Sequence, residues 1–519
     1  MKFVAVNMEH DGALAIVHDG RLVKCIEAQK DNHLRHSRLR LEHLGIALQE
    51  IREENDVFAV GGWFSHGTYN GVDASVVSVR RVWRRGKKIV RLTTSHERAH
   101  IFCAYGLSPF EHGRPCYALV WEGTLGAFYK INGRCQIEPL CVPMSRPGHR
   151  YAFLYELANP DFSDDARGWS NGVAGKLMAL ASHSDSSPLN QHERDLMDLL
   201  LNQFDSHTRK RQLHCSPFWN CGCTQESFRA FAHKFSTAMF DRFYSMIKEV
   251  VTARLPLLIA GGCGLNCDWN NRWRDCQLFA DVFVPPCVDD SGVAIGAAVD
   301  AQRHFEGRAK LEWSVYAGAE FEHDISVHDR FLSIELNYDH VARLLLDGAV
   351  IAWVTGRYEI GPRALGNRSL LAAPFSKDTQ NRLNKIKGRE EYRPIAPVCI
   401  GGHASRWFAG CGPSPHMLYF QRVLSDRLQA VTHDDGTARV QTVNIQDNAK
   451  LHELLSAFSQ LSGVGVLCNT SLNYPGRGFI NRMSDLARFA EEKQIEGMVV
   501  DDRLYLPITS SRLLRTIAS

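Results

Sequence analysis

The chain has 519 residues, with 60 Lys and Arg against 57 Asp and Glu and a net charge of +3. That length exceeds what one compact core holds and predicts two domains or more. The near-balance of charge excludes a polybasic nucleic-acid coat and a disordered acidic tail, and no run of about 18 apolar residues offers a membrane span.

In chain order, Phe3 to Val6 is an apolar segment that turns polar at Glu9-His10-Asp11. It is too short for a signal peptide and predicts a buried first strand. Asp11-Gly12 turns, Ala13 to Val17 is apolar, and Asp19-Gly20 turns again, a hairpin rhythm with Asp-Gly supplying positive φ. The same rhythm returns from Tyr117 to Trp121, Glu122-Gly123, Leu125 to Ile131 and Asn132-Gly133. Two like subdomains are therefore expected. Phe228, Phe231, Phe235, Met239, Phe243, Met246 and Val250 recur every three or four residues and predict a core-facing helix. Leu257 to Ala260 predicts a short strand, followed by the glycine loop Gly261-Gly262-Cys263-Gly264-Leu265-Asn266. Val282 to Val284 predicts another strand, leading through Asp289-Asp290-Ser291-Gly292 into a helix from Val293 to Arg303. Strands alternating with helices place the chain in the α/β class. Residues 305–335 lose periodicity and mark the expected boundary. Beyond it, Val341 to Leu346 reads as helix and Ala349 to Val354 as strand. Leu451 to Leu461 reads as helix, Val464 to Leu467 as strand, and Asn469-Thr470-Ser471 as a polar loop. The 15 cysteines are odd in number and irregularly spaced, which predicts free thiols in a reducing cytoplasm.

Three constellations carry chemistry. From Arg357 to Arg393 there are nine basic and four acidic residues, interleaved with glycines, prolines and apolar residues. Guanidinium forks match phosphate oxygens in pairs, so this stretch predicts anion binding. His96 and His100 stand at i, i+4 in the segment His96-Glu97-Arg98-Ala99-His100. On a helix both imidazoles face one way, with Glu122 and Asp290 as candidate carboxylates, a set that suits iron, manganese or zinc. The zincin pattern is also matched, but the α/β context does not favour a protease. Residues 80–91 hold seven basic residues and a tryptophan, read as an exposed hairpin beside an anionic substrate rather than an RNA grip.

At GRYEIGPRALGNRSLLAAP (356–374) the chain resembles the NodU/CmcH carbamoyltransferase family. NRLNKIKGREEYRPIAPV, CNTSLN, HDGALAI, SHERAH, GVAGKLMALA, GGCGLNC and DDSGVAIGAA extend the resemblance over nearly the whole chain. It implies an α/β fold with a duplicated actin-like ATPase domain over 1–335 and a YrdC-like domain over 336–519. The implied activity is ATP-dependent transfer of a carbamoyl group from carbamoyl phosphate, through carbamoyl adenylate, to a hydroxyl of a secondary metabolite. The lean is toward the branch acting on 3-hydroxymethylcephems. By this resemblance Arg357, Arg363 and Arg368 hold phosphate, supported by Lys387, Arg389 and Arg393, with Asn469, Thr470 and Ser471 lining the pocket. Gly261, Gly262 and Asn266 lie near adenosine. His96, His100, Glu122 and Asp290 hold a divalent metal, expected as Fe(2+), with Mg-ATP as co-substrate. His10 or Asp11 takes the acceptor's proton. Three departures stand out: Glu122-Gly123 for Asp-Gly, Leu472 within the Asn-Thr-Ser motif, and Gly476-Arg477-Gly478 for Gly-Glu-Pro. The expected partners are carbamoyl phosphate, ATP, a hydroxylated small-molecule acceptor and a second copy of the chain, with no membrane or nucleic acid. Two other readings are carried. A threonylcarbamoyl-type tRNA modification enzyme predicts salt-sensitive tRNA binding. A non-catalytic actin-like nucleotide switch leaves the arginine cluster without a task.

Overall fold

The computed structural model describes residues 1–62, 76–81, 88–162, 172–182 and 187–508. Residues 82–87 of the basic segment lie outside them. The chain divides into two compact units, one of Met1–Leu107 with Pro285–Ser519, the other of Ser108–Val284.

The first sheet belongs to the larger unit. Its strands are β1 (Lys2–Asn7), β2 (Ala13–His18), β3 (Arg21–Glu27), β4 (Val57–Gly61), β5 (Val76–Arg81) and β6 (Lys88–Thr93), in the order β3-β2-β1-β4-β6-β5. β1, β2 and β3 form an antiparallel meander, and β4 and β6 then run parallel to β1. A short helix, α1 (Ala28–Asn32), follows β3, and α2 (His96–Leu107) follows β6.

The smaller unit repeats this plan. Its strands are β7 (Cys116–Trp121), β8 (Leu125–Ile131), β9 (Ile137–Ser145), β10 (Leu257–Ala260) and β11 (Val282–Phe283), in the order β11-β10-β7-β8-β9. Again a three-strand meander is followed by two strands parallel to its first member. The duplication expected from the two hairpin rhythms is thus present as matching topology. The phenylalanine stripe forms α3 (Glu226–Val250), with Phe228, Phe231, Phe235, Met239 and Phe243 fully buried. α4 (Cys267–Asp275) follows the glycine loop.

The chain re-enters the larger unit with α5 (Val293–Glu306), whose Gly296 lies against α2 so closely that a Cβ there would stand 1.7 Å from the Ala99 carbonyl. The C-terminal part is an eight-stranded mixed sheet. Its strands are β12 (Phe331–Glu335), β13 (Ile351–Val354), β14 (Arg368–Ala372), β15 (Ala396–Ile400), β18 (Gln441–Val443), β19 (Val466–Ser471), β20 (Gly497–Val500) and β21 (Arg503–Pro507). A two-stranded ribbon, β16 (Gln421–Arg422) and β17 (Thr437–Ala438), interrupts the count. Helices α6 (Tyr338–Leu346) and α7 (Ala449–Ser462) pack on one face around Trp353, Leu454 and Phe458.

Two expectations are corrected. Asn469, Thr470 and Ser471 are not a loop but the end of β19, paired with Leu371, Leu370 and Ser369 of β14. At the first turn, positive φ falls on Asp11 (φ 53°) and not on Gly12. Gly12 is needed for closeness, since a Cβ would meet the Leu39 amide nitrogen at 2.4 Å. No helix among the described residues is long and apolar enough to cross a membrane, and all fifteen cysteines are free thiols.

Candidate metal centre and anion site

β1, β4 and β6 are parallel neighbours, so their carboxyl ends meet at one edge, where α/β ligand sites gather. α2 starts there. The Ser95 hydroxyl caps it by accepting the Arg98 amide at 3.2 Å. His96 and His100 then project from one face, one turn apart. Their Nε2 atoms stand 3.2 Å apart. Asp290 Oδ1 lies 3.2 Å from His100 Nε2 and 3.8 Å from His96 Nε2. Donor atoms held about 2.1 Å from one ion stand roughly 3.0–3.4 Å from each other. The two 3.2 Å separations fit that spacing and the 3.8 Å one is slightly wider, and the three buried side chains form a candidate metal centre.

Neighbouring residues hold Asp290 in place. Asp289 caps the turn, accepting from the Ser291 hydroxyl at 2.5 Å, and Asn7 Nδ2 donates to the Asp290 carbonyl at 3.0 Å. Burial first, and then the charge of Asp11, push Asp289 up to about 7. His10 links two carboxylates: Nε2 lies 3.3 Å from Asp290 and Nδ1 3.2 Å from Asp11. Asp11 also takes His36 Nδ1 at 2.9 and 3.1 Å. Burial raises the Asp11 pKa, but the hydrogen bonds from His10 and His36 outweigh it and hold the carboxyl well below the usual range. His36 escaped the sequence reading. Its Nε2 is buried with no hydrogen-bond partner among the described residues. With Asp11 on Nδ1, the imidazole is held in the tautomer that leaves an acceptor lone pair on Nε2.

A buried ion pair fixes α2 against α5. Arg98 donates through Nε and Nη2 to Asp300 at 2.9 and 2.7 Å, and Thr94 donates to the same carboxylate at 2.7 Å. Burial raises the Asp300 pKa, but Arg98 outweighs it and the carboxyl is lowered from 3.8 to about 2. Folding therefore favours the charged form. That stabilisation is complete above about pH 4 and is lost as pH falls toward about 2, a contribution of roughly 2 kcal/mol. Asp300→Asn is expected to lower the thermal midpoint at neutral pH and to flatten its dependence on pH over that acid window.

The smaller unit carries four further predicted site residues. Glu122 follows β7, is buried, and accepts the Gly148 amide on its carbonyl at 3.1 Å. Gly261 has φ 90°, and a Cβ there would meet the Trp121 carbonyl at 2.6 Å. Gly262 opens onto space with nothing within 4 Å of its Cβ position. Asn266 caps α4 by accepting the Asp268 and Trp269 amides, and its buried Nδ2 has no partner among the described residues.

In the C-terminal part the arginine loop runs from β13 to β14. Glu359 organises it: Oε1 accepts the Leu365 and Asn367 amides at 2.5 and 3.2 Å. Lys30 of α1 pins the loop to the first sheet, donating to the Glu359 and Gly361 carbonyls at 2.6 and 2.7 Å and to Glu27 at 2.9 Å. Gly361 has φ 85°, and a Cβ there would stand 2.2 Å from the Pro286 carbonyl. Two of the expected phosphate ligands are engaged with the main chain. Arg368 is fully buried and commits all five N–H groups to Asn481 and the carbonyls of Thr355, Gly356 and Asn367. Arg357 donates to the carbonyls of Val23, Ala317 and Gly318. Both lock the loop in place. Lys387 likewise donates to the Ser471 and Asn473 carbonyls and to the Asn473 side chain.

What remains is a crowd of cations. Arg389 is pushed down to about 9 by burial first, then by Arg393, with Arg363 also acting. Burial, then Arg389 and Arg35, hold Lys387 well below its usual range. Arg35, which the sequence reading also missed, is lowered by burial and feels Asp11, Arg393 and Asp289. It therefore lies near both Asp11 and Arg393. Cations that depress one another are relieved by a bound anion.

Two family models match the chain: "Carbamoyltransferase N-terminus" over residues 46–299 and "Carbamoyltransferase C-terminus" over 342–506. The chain belongs to the carbamoyltransferase family. This carbamoyltransferase is 42% identical to the 3'-hydroxymethylcephem-O-carbamoyltransferase of Streptomyces clavuligerus, over 98% of this chain and 100% of that one. It is also 42% identical to the protein of the same name from Amycolatopsis lactamdurans, over 97% and 99%. Nodulation protein U of Sinorhizobium fredii is 32% identical over 97% and 99%. Among solved structures, the enzyme matches the activator of the 2-hydroxyisocaproyl-CoA dehydratase from Clostridium difficile with bound ADPNP at 13% identity and TM-score 0.33, over 59% of this chain and 98% of that one.

Proposed function

We propose that the enzyme is an ATP-dependent O-carbamoyltransferase that moves a carbamoyl group from carbamoyl phosphate to the hydroxyl of a small molecule, of the 3-hydroxymethylcephem class. The full-length 42% identity to two transferases of that name carries the reading, and the concentration of buried cations, which lower one another's pKa, supports an anionic donor. Residues 336–519, proposed as YrdC-like, form carbamoyl adenylate. Water cleaves the donor's carbamoyl–phosphate bond to give carbamate and inorganic phosphate, which leaves; the carbamate oxygen then bonds to the α-phosphorus of ATP, and pyrophosphate leaves. Arg363, Arg389 and Arg393 hold the phosphate groups, while Arg357, Arg368 and Lys387 keep the loop and β19 in place. Residues 1–335, proposed as actin-like, carry out transfer. The acceptor oxygen attacks the carbamoyl carbon and AMP leaves.

His36 Nε2, held by Asp11, takes the acceptor's proton, with His10 positioned between Asp11 and Asp290. His96, His100 and Asp290 would hold a divalent metal, proposed as iron(II), which would supply positive charge beside the adenylate phosphate and the mixed anhydride. Glu122 is carried as its fourth ligand, and Gly261, Gly262 and Asn266 as the adenosine loop. The test is incubation with ATP, carbamoyl phosphate and a panel of hydroxylated acceptors, read by mass. A 3-hydroxymethylcephem should gain one carbamoyl group. A panel on which only amines or no members gain mass contradicts the reading.

A further inference from the structure

After β19 the chain turns at Tyr474 to Gly478 and enters α8 (Met483–Lys493). The turn lies tight on α1: a Cβ on Gly478 would stand 1.8 Å from the Gln29 carbonyl oxygen. Between the turn, α8 and His33 lies a cavity of about 370 Å³, within the range of about 300–1,000 Å³ that small-molecule sites occupy. Its lining is charged, and the charges are not all matched. Asp485 is met on both oxygens, by His33 Nε2 at 3.1 Å and by Arg488 Nη2 at 2.6 Å. Arg477 and Glu492 have no ion-pair partner among the described residues, and Tyr474 holds both. The Arg477 guanidinium stands over the Tyr474 ring, 5.7 Å from its centroid, and the Tyr474 hydroxyl donates to Glu492 Oε2 at 3.0 Å. Burial first, and then Glu492, push that hydroxyl up to about 12, so it stays a donor at neutral pH. The ring is fixed edge-on against Phe489, with centroids 5.0 Å apart. The cavity thus presents a cation and an anion that do not pair with each other, both placed by one side chain.

The cavity adjoins both sites described above. His33 precedes His36 by three residues. On the other side, a Cβ on Gly388 would stand 3.0 Å from Pro475 Cγ, and Lys387 donates to the Asn473 carbonyl at 2.8 Å. We propose that this cavity is a subsite for the part of the acceptor remote from its reacting hydroxyl, and that it takes a zwitterionic α-amino-acid group, with Arg477 on the carboxylate and Glu492 on the ammonium. The proposal rests on the acceptor step above and adds what that acceptor carries. A guanidinium fork matches a carboxylate, and a carboxylate matches an ammonium. A ligand with only one of the two charges would leave the other side chain unmatched. Arg477 and Gly478 both fall where this chain departs from the Gly-Glu-Pro stretch, so the cavity is tied to the acceptor and not to the shared donor.

The experiment compares kcat/KM for carbamoyl transfer to two 3-hydroxymethylcephems on the full-length enzyme. They differ only in the side chain away from the hydroxyl, which ends in a free α-amino acid in one and in its N-acetyl methyl ester in the other. The wild type should prefer the free amino acid by about tenfold or more, the scale of a charge-assisted contact partly open to solvent. Arg477→Ala should bring the two to within about threefold, through the KM of the charged acceptor. Arg477→Lys keeps the charge without the fork and should retain part of the preference. A wild type that uses both acceptors equally, or a preference unchanged in Arg477→Ala, overturns the subsite and leaves the proposed transfer standing. So does an Arg477→Ala enzyme whose acceptor-free pyrophosphate release falls as far as its transfer, which would give the arginine to ATP. A wild type that carbamoylates neither acceptor overturns both.

Discussion

Lys30→Met is expected to lower the unfolding free energy by about 3–5 kcal/mol, the cost of leaving a buried carboxylate without its partner. The Lys30 and Glu27 side chains are 2% and 1% exposed. The ammonium sits over the rings of Tyr358 and Phe479 and gives its protons to Glu27 and two carbonyls of the arginine loop. Removing it strands Glu27, which then retains the Gly361 amide at 2.7 Å as a donor. It also frees the Glu359 and Gly361 carbonyls from their anchor on α1. Replacing both partners, as Lys30→Met with Glu27→Gln, should recover part of the loss, since the uncompensated charge is gone. Denaturant unfolding of the wild type and the two variants measures this. A single variant as stable as the wild type would contradict the role assigned to the pair.

His96→Ala is expected to remove most of the bound metal and to slow carbamoyl transfer by about 10³-fold, while pyrophosphate release persists. Three donor atoms spaced at 3.2–3.8 Å leave little redundancy. Losing one leaves two of these three ligands, and several kcal/mol of charge stabilisation goes with the ion. Metal content by elemental analysis reads the first effect without reference to activity. Glu122→Gln read in the same way tests the fourth ligand. Full metal content in His96→Ala would remove the centre from the account.

Much of this arrangement was legible in the residues. The apolar strands, the phenylalanine stripe of α3 and the repeated hairpin rhythm follow local periodicity, so they appear as expected. His96 and His100 are visible because helical spacing alone sets them on one face. Other features depend on contacts that spacing does not reveal. His36 matters because Asp11, 25 residues away, holds it. Lys30 meets Glu359 across 329 residues. Arg357 and Arg368 looked like phosphate ligands because guanidinium chemistry is the same whether it binds a ligand or a main-chain carbonyl. Only the fold shows which acceptor is present. Asn469-Thr470-Ser471 read as a loop because its residues are polar, yet pairing with β14, and at Asn469 with β15 as well, makes it a strand.

The measurement that bears most directly on the central claim is pyrophosphate release from ATP by the purified enzyme, with and without carbamoyl phosphate, for the wild type and Arg363→Ala. The account predicts release that depends on carbamoyl phosphate and falls by at least about 100-fold in the variant, the scale expected when one charged stabilising group is removed. Release that ignores carbamoyl phosphate, or that survives intact in Arg363→Ala, would contradict it.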